Sequence, residues 1–246
     1  MTERTITRTT PDGPMKVFVA EPGPVAGRRL PGVIVLQEAY GVNDHVRGVC
    51  RRFAGAGFVA AAPELFHRIG DGVEFGYADW EKIKPILSGI TNATLTADLE
   101  AAHACLAEHP LVDAAKRLVF GECMGGFASV LAAIRLPVAG AIAFYPGGLN
   151  RMRPGIGFGA LLDSLARVQC PLLLIYGGRD TGIPPEDVAE VRQRLEALGK
   201  AHDIHVMPEA GHGFCCEARS AYHPASAEKA WALTFDWIRR TIGEPA

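Results

Sequence analysis

The stretch Arg117-Leu118-Val119-Phe120-Gly121-Glu122-Cys123-Met124-Gly125-Gly126-Phe127-Ala128-Ser129-Val130-Leu131 constrains this chain more than any other. An apolar run meets Gly-x-Cys-x-Gly and leaves as an amphipathic segment, which predicts a strand, a sharp turn and a helix. The glycines have a mechanical reason. They flank a residue held in a strained backbone, where a Cβ on either side would strike the adjoining strand or helix. Such a turn lifts the Cys123 sulfur above the sheet edge and aims the first amide N–H groups of the helix at the same point. A nucleophile and half of an oxyanion hole arrive together. The plainer alternative is a buried structural cysteine in an ordinary Gly-rich turn.

A turn of this kind belongs in a parallel sheet, and the rest of the chain has the matching pattern. Apolar runs alternate with helical periodicity along its length, which predicts a mostly parallel central sheet with helices on both faces. Gly32–Leu36, Phe58–Ala62, Leu118–Phe120, Val138–Phe144, Leu172–Tyr176 and a segment ending His205–Met207 are the expected strands. A helix capped by Asn43 or Asp44 carries Val46, Val49, Cys50 and Phe53 on one face and stops at Gly57. Leu95, Leu99, Ala102 and Leu106 form a second stripe, and Val188, Val191, Leu195 and Leu198 a third, opened by Pro184-Pro185. Trp231, Thr234, Phe235 and Ile238 place a C-terminal helix on the sheet. No linker or repeat divides the chain, so residues 1–246 are expected to form one domain. The irregular segments Glu64–Thr94 and Gly147–Gly159 suit loops that cover a site as well as plain surface excursions.

With 48% hydrophobic and 21% charged residues, the chain has enough apolar material for a sizeable core. A formal net charge of -2, without a basic run, points away from nucleic acid, and no apolar run is long enough to span a membrane. The polar start Met1–Arg8 lacks a signal core, so a cytoplasmic address is expected. The six cysteines contain no C-x-x-C. Cys50, Cys105 and Cys170 read as small buried hydrophobes. No pair of ligands has finger-like spacing, so neither metal nor cofactor is expected.

A thiol nucleophile needs a base, a group that orients the base, and oxyanion donors. Cys123, Asp180 and His212 follow in that order, each just past a predicted strand, and such ends gather at one edge of a parallel sheet. Singly they are weak signals: a strand-end Asp is often a turn former, and seven other histidines compete. The others lack the Gly-His-Gly setting, and His45 sits in a helix start.

Taken with Glu38 after the Val33–Leu36 run, the motifs Gly-Glu-Cys-Met-Gly-Gly at Gly121–Gly126, Asp-Thr-Gly-Ile-Pro at Asp180–Pro184 and His212-Gly213-Phe214 resemble the dienelactone hydrolase family, from about Thr5 to Arg239. The resemblance implies an α/β-hydrolase fold and cleavage of esters or lactones by a Cys-His-Asp triad. On that pattern Cys123 is the nucleophile, His212 the general base and acid, and Asp180 its orienter. Glu38 becomes the carboxylate that contacts the thiol, or a structural carboxylate bonded to nearby backbone, and the amides of Ala39 and Met124 the oxyanion hole. Tyr40, Tyr145, Phe214 and Tyr222 are the expected substrate contacts. The expected partner is a small ester or lactone, with the protein a monomer or homodimer.

One departure stands out. Dienelactone-cleaving members look to hold the substrate carboxylate with arginines, one of them four residues after the histidine, where this chain has Cys216. Arg219 lies three residues further on, and Arg68, Arg151 and Arg153 sit in the loops. Without a paired cation a buried carboxylate is costly, so neutral short-chain esters or lactones are expected to be processed at least as well as carboxylate-bearing ones. A redox-sensing or ligand-binding role for Cys123 is the alternative reading.

Overall fold

The computed structural model describes residues 1–23, 27 and 29–244. The strands β1 (Thr2–Thr10), β2 (Gly13–Glu21), β3 (Leu30–Leu36), β4 (Val59–Pro63), β5 (Val112–Glu122), β6 (Gly140–Phe144), β7 (Leu172–Gly177) and β8 (His202–Met207) form an eight-stranded sheet in the order β1-β2-β4-β3-β5-β6-β7-β8. From β4 to β8 the strands are parallel, whereas β1 and β2 are antiparallel to their neighbours. β3 to β7 are buried almost throughout, apart from the outer half of β5, as expected when helices cover both faces.

The helices are α1 (Asp44–Gly55), α2 (Trp80–Gly89), α3 (Asn92–Ala107), α4 (Met124–Arg135), α5 (Pro185–Ala197) and α6 (Pro224–Ile242). Asn43 caps α1, its side chain accepting from Val46 N at 3.2 Å. Successive residues of β5 show how the layers divide. Phe120 points to one face, where it stacks on Trp231 of α6, which also meets Phe53 of α1. Its neighbour Gly121 points to the other face, against α4.

The turn from β5 into α4 is as tight as the glycines imply. A Cβ on Gly121 would run into the carbonyl of Gly125, and one on Gly125 into the carbonyl of Leu36. Between them Cys123 stands at φ 55°, ψ -115°, a conformation that costs a non-glycine residue on the order of 1–3 kcal/mol. The surroundings hold it there. Cys123 N donates to Phe144 O at 3.0 Å, Phe127 N donates to Cys123 O at 3.0 Å, and every residue of α4 but the last is buried.

The sequence reading did not contain β1, β2 or α2. Glu64–Thr94 was read as irregular, and α2 occupies its middle with Pro85 inside the helix. The Gly147–Gly159 segment is free of helix and strand, as its glycines and Pro154 suggest. Among the described residues no helix is long and apolar enough to cross a membrane.

Candidate active site

Glu38 and Ala39 follow β3, Cys123 follows β5, Asp180 follows β7 and His212 follows β8, so all stand at the carboxyl edge of the parallel strands. The loops after β7 and β8 interlock. Gly178 N donates to Met207 O at 2.7 Å and Arg179 N to Ala210 O at 2.8 Å, which carries His212 over the end of β7.

His212 Nδ1 lies 2.7 Å from Asp180 Oδ2. The other carboxylate oxygen, Oδ1, accepts from Gly182 N at 2.8 Å and Ile183 N at 3.2 Å. Burial works against the charge on Asp180, but His212 and these two amides outweigh it and lower its pKa. Asp180 is therefore ionised at neutral pH, and Nδ1 must be the donor, leaving Nε2 for chemistry. Burial also opposes charge on His212, yet the neighbouring Cys123 sulfur and Asp180 raise it to about 10. Tyr145 packs edge-on against the imidazole at 4.9 Å between ring centres, with Phe214 behind it.

Cys123, Met124, Ala39 and His212 line one cleft of about 70 Å³. The amides of Ala39 and Met124 donate to no protein acceptor among the described residues. Cys123 is half-buried, and the other cysteines are buried. Burial raises the Cys50, Cys105 and Cys215 thiols, and pushes Cys170 up to about 11. The cleft walls are Trp80 and Leu87 of α2 and Gly147, Arg153, Ile156 and Phe158 of the irregular segment after β6. The sequence leaves Glu64–Thr94 and Gly147–Gly159 equally open as covers of a site or as surface excursions, and offers Arg153 only as a loop cation.

The four expected substrate contacts stand elsewhere. Tyr40, Tyr145 and Phe214 are buried, Tyr222 is half-buried, and none lines the cleft. Proximity to a motif in sequence suggests ligand contact, but these aromatic side chains pack beneath the motif instead.

Cys216 also faces away. It is fully buried, and its thiol donates to Tyr77 Oη at 3.0 Å. Arg219 supplies the nearby cation instead, lying over the rings of Tyr40 and Tyr77 and donating to Glu38 Oε1 at 2.8 Å. Glu38 therefore pairs with Arg219, and its Oε2 is buried without a partner among the described residues. Burial and the charge of Glu122 raise the Glu38 pKa, with Arg219, His45 and His212 pulling it down. Arg68 and Arg151 are engaged elsewhere, by Asp12 and Asp98 and by Asp187. Arg153 reaches the cleft, anchored on Gly182 O and paired with no carboxylate among the described residues.

A nearby group completes the picture. His45 Nε2 lies 2.6 Å from Glu122 Oε2. Burial opposes charge on this ring, but Glu122 and Cys216 overcome it and hold the His45 pKa up at about 11.

The sheet order, the strained thiol turn and the Asp–His pair together define an α/β-hydrolase fold. Within that class the chain belongs to the dienelactone hydrolase family, whose sequence model matches residues 15–242. Over 220 residues it is 37% identical to "Putative carboxymethylenebutenolidase" of Escherichia coli (strain K12), covering 87% of this chain and 79% of that protein. It is 30% identical over 216 residues to "Probable 2-oxo-3-(5-oxofuran-2-ylidene)propanoate lactonase" of Bradyrhizobium sp, covering 88% and 86%. The crystal structure of "Putative Dienelactone Hydrolase" from Klebsiella pneumoniae superposes with a TM-score of 0.86 at 32% identity, covering 98% of this chain and all of that one.

Proposed function

We propose that this protein hydrolyses the ester or lactone bonds of small molecules through a thioester on Cys123. The observation that supports it most is the 2.7 Å contact of Asp180 with His212 in a cleft that also presents the Cys123 thiol and two unused amides. A redox-sensing or ligand-binding role for the thiol has no need of an oriented imidazole.

The thiolate of Cys123 attacks the acyl carbon, and the carbonyl electron pair moves onto oxygen. The amides of Ala39 and Met124 hold that oxyanion, at a position where each such donor is worth roughly 3–4 kcal/mol. Collapse expels the alkoxide, which takes the proton from His212 Nε2 and leaves as the alcohol or as the opened arm of the lactone. His212 then removes a proton from water, and the hydroxide attacks the thioester. Collapse of this second intermediate breaks the C–S bond, expelling the Cys123 thiolate beside the His212 imidazolium and releasing the acid, which gives up its proton to water. His212 Nε2 takes the thiol proton at the outset, and Glu38 stands nearby as a carboxylate held by Arg219. Release of nitrophenol from short acyl nitrophenyl esters tests the reading: turnover should be abolished by thiol alkylation confined to Cys123. Turnover that survives it rules the thiol mechanism out.

The cleft supports a different substrate charge from the one the sequence suggests. Cys216 is not on its wall, and Arg153 is. We infer that a carboxylate-bearing substrate rests its anionic end on Arg153 and its apolar part on Ile156 and Phe158. Arg153 is partly exposed, so the pair is worth about 1 kcal/mol rather than the value for a dry site. A free acid should therefore exceed its methyl ester about 3- to 10-fold in kcat/KM. Arg153→Gln should erase that preference while sparing the methyl ester. Equal rates for acid and methyl ester in the unmodified protein would return the neutral-substrate expectation.

A further inference from the structure

Behind the cleft, three distant parts of the chain bring together donors of three kinds. A carboxylate oxygen of Glu38, a ring nitrogen of His45 and the sulfur of Cys216 all lie within 4.8 Å of one another. No motif spacing announces this group, because its members come from the loop after β3, the start of α1 and the loop after β8.

We propose that Glu38, His45 and Cys216 bind a thiophilic divalent cation, zinc foremost, at a site separate from the Cys123 nucleophile. The donor set argues for the ion. Thiolate with imidazole and one carboxylate suits zinc, whereas magnesium and calcium prefer oxygen alone. The surroundings argue for it too. A metal-bound histidine usually donates its second ring N–H to a carboxylate, and His45 Nε2 faces Glu122 Oε2 at 2.6 Å. Glu38 is likewise held from outside, by Arg219 on Oε1, while Oε2 is buried and unpartnered among the described residues.

Charge balance points the same way. A zinc dication held by the Glu38 carboxylate and a Cys216 thiolate, with the thiol proton released to solvent, forms a neutral group, so its binding leaves little uncompensated charge in a low-dielectric site. Ligand atoms about 2.0–2.3 Å from a shared tetrahedral ion stand roughly 3.3–3.8 Å apart. The three donors need to close by only about 1 Å. A surface cavity of about 310 Å³ lined by Asp44, His45, Cys215, Glu217 and Trp231 gives the ion a route inward.

The test is equilibrium titration of the chelator-stripped, full-length protein with zinc against a competing dye, with cobalt used to report thiolate ligation by its near-ultraviolet charge-transfer band. One zinc per chain is expected, and the cobalt band with it. Cys123→Ser should keep both, which separates this site from the catalytic Cys–His pair. Cys216→Ser and His45→Ala should each weaken binding at least 100-fold and remove or alter the band. Glu122→Gln, which touches only the far side of the ring, should weaken binding about 10- to 100-fold. Thermal unfolding and circular dichroism confirm that each variant is folded. Absence of stoichiometric binding in the unmodified protein overturns the proposal, as does binding that is lost with Cys123 and retained without Cys216 and His45.

Discussion

Cys123→Ala is expected to reduce ester turnover by about 10⁶-fold while leaving the melting temperature close to that of the parent protein. The magnitude is that of removing the nucleophile from a hydrolase triad, where the remaining groups act only through binding and the oxyanion hole. Stability should survive because the turn depends on main-chain contacts that alanine retains, the Cys123 amide to Phe144 O and the Phe127 amide to Cys123 O. Alanine tolerates the positive φ no worse than cysteine does. Mass spectrometry of the unmodified protein during turnover should find the acyl group on Cys123. An adduct on Cys215 or Cys216, or undiminished turnover in the variant, would refute the assignment.

Asp180→Asn is the second large effect, a loss of up to about 10⁴-fold in kcat by analogy with the serine triad. The hydrogen bonds dictate why. Oδ1 accepts from the amides of Gly182 and Ile183. An asparagine must keep its oxygen there, which turns its NH₂ toward His212 Nδ1. Nδ1 then has to accept, and the ring proton moves to Nε2, the nitrogen that must take protons during catalysis. His212→Ala should be comparably severe. The double variant should be little worse than either single one, since the two side chains work as one relay. Effects that multiply would show independent roles.

β3, β4, β6 and β7 are legible because each is a short apolar run, and of β5 and β8 only the last apolar residues are. The first two strands are not. Thr2–Thr10 is mostly exposed and carries threonine and charge where a half-buried strand would alternate with apolar residues. Its place is set by pairing with β2, which no local pattern reveals. α2 was hidden by Pro85 and by a mostly exposed surface with only Ile83 and Leu87 buried. At the site, residues fixed by turn geometry were readable, since Gly121, Gly125 and Gly126 leave a spacing. Arg219 and the cleft walls leave none. A side chain seven residues past His212 reaches Glu38 only because the loop folds back, placing its guanidinium against Gly213.

The burial of α4 divides the cleft into two tiers of local stability. The sulfur and the Met124 amide belong to a helix sealed into the core from Met124 to Ile134, so they can be displaced only when the whole domain opens. The opposite wall is α2, with Trp80 42% exposed and two buried anchors, joined to a segment without regular structure. That side can breathe or accept substitutions without the cooperative unit that carries Cys123 registering the change. Recognition is thereby free to drift over a chemistry that stays fixed.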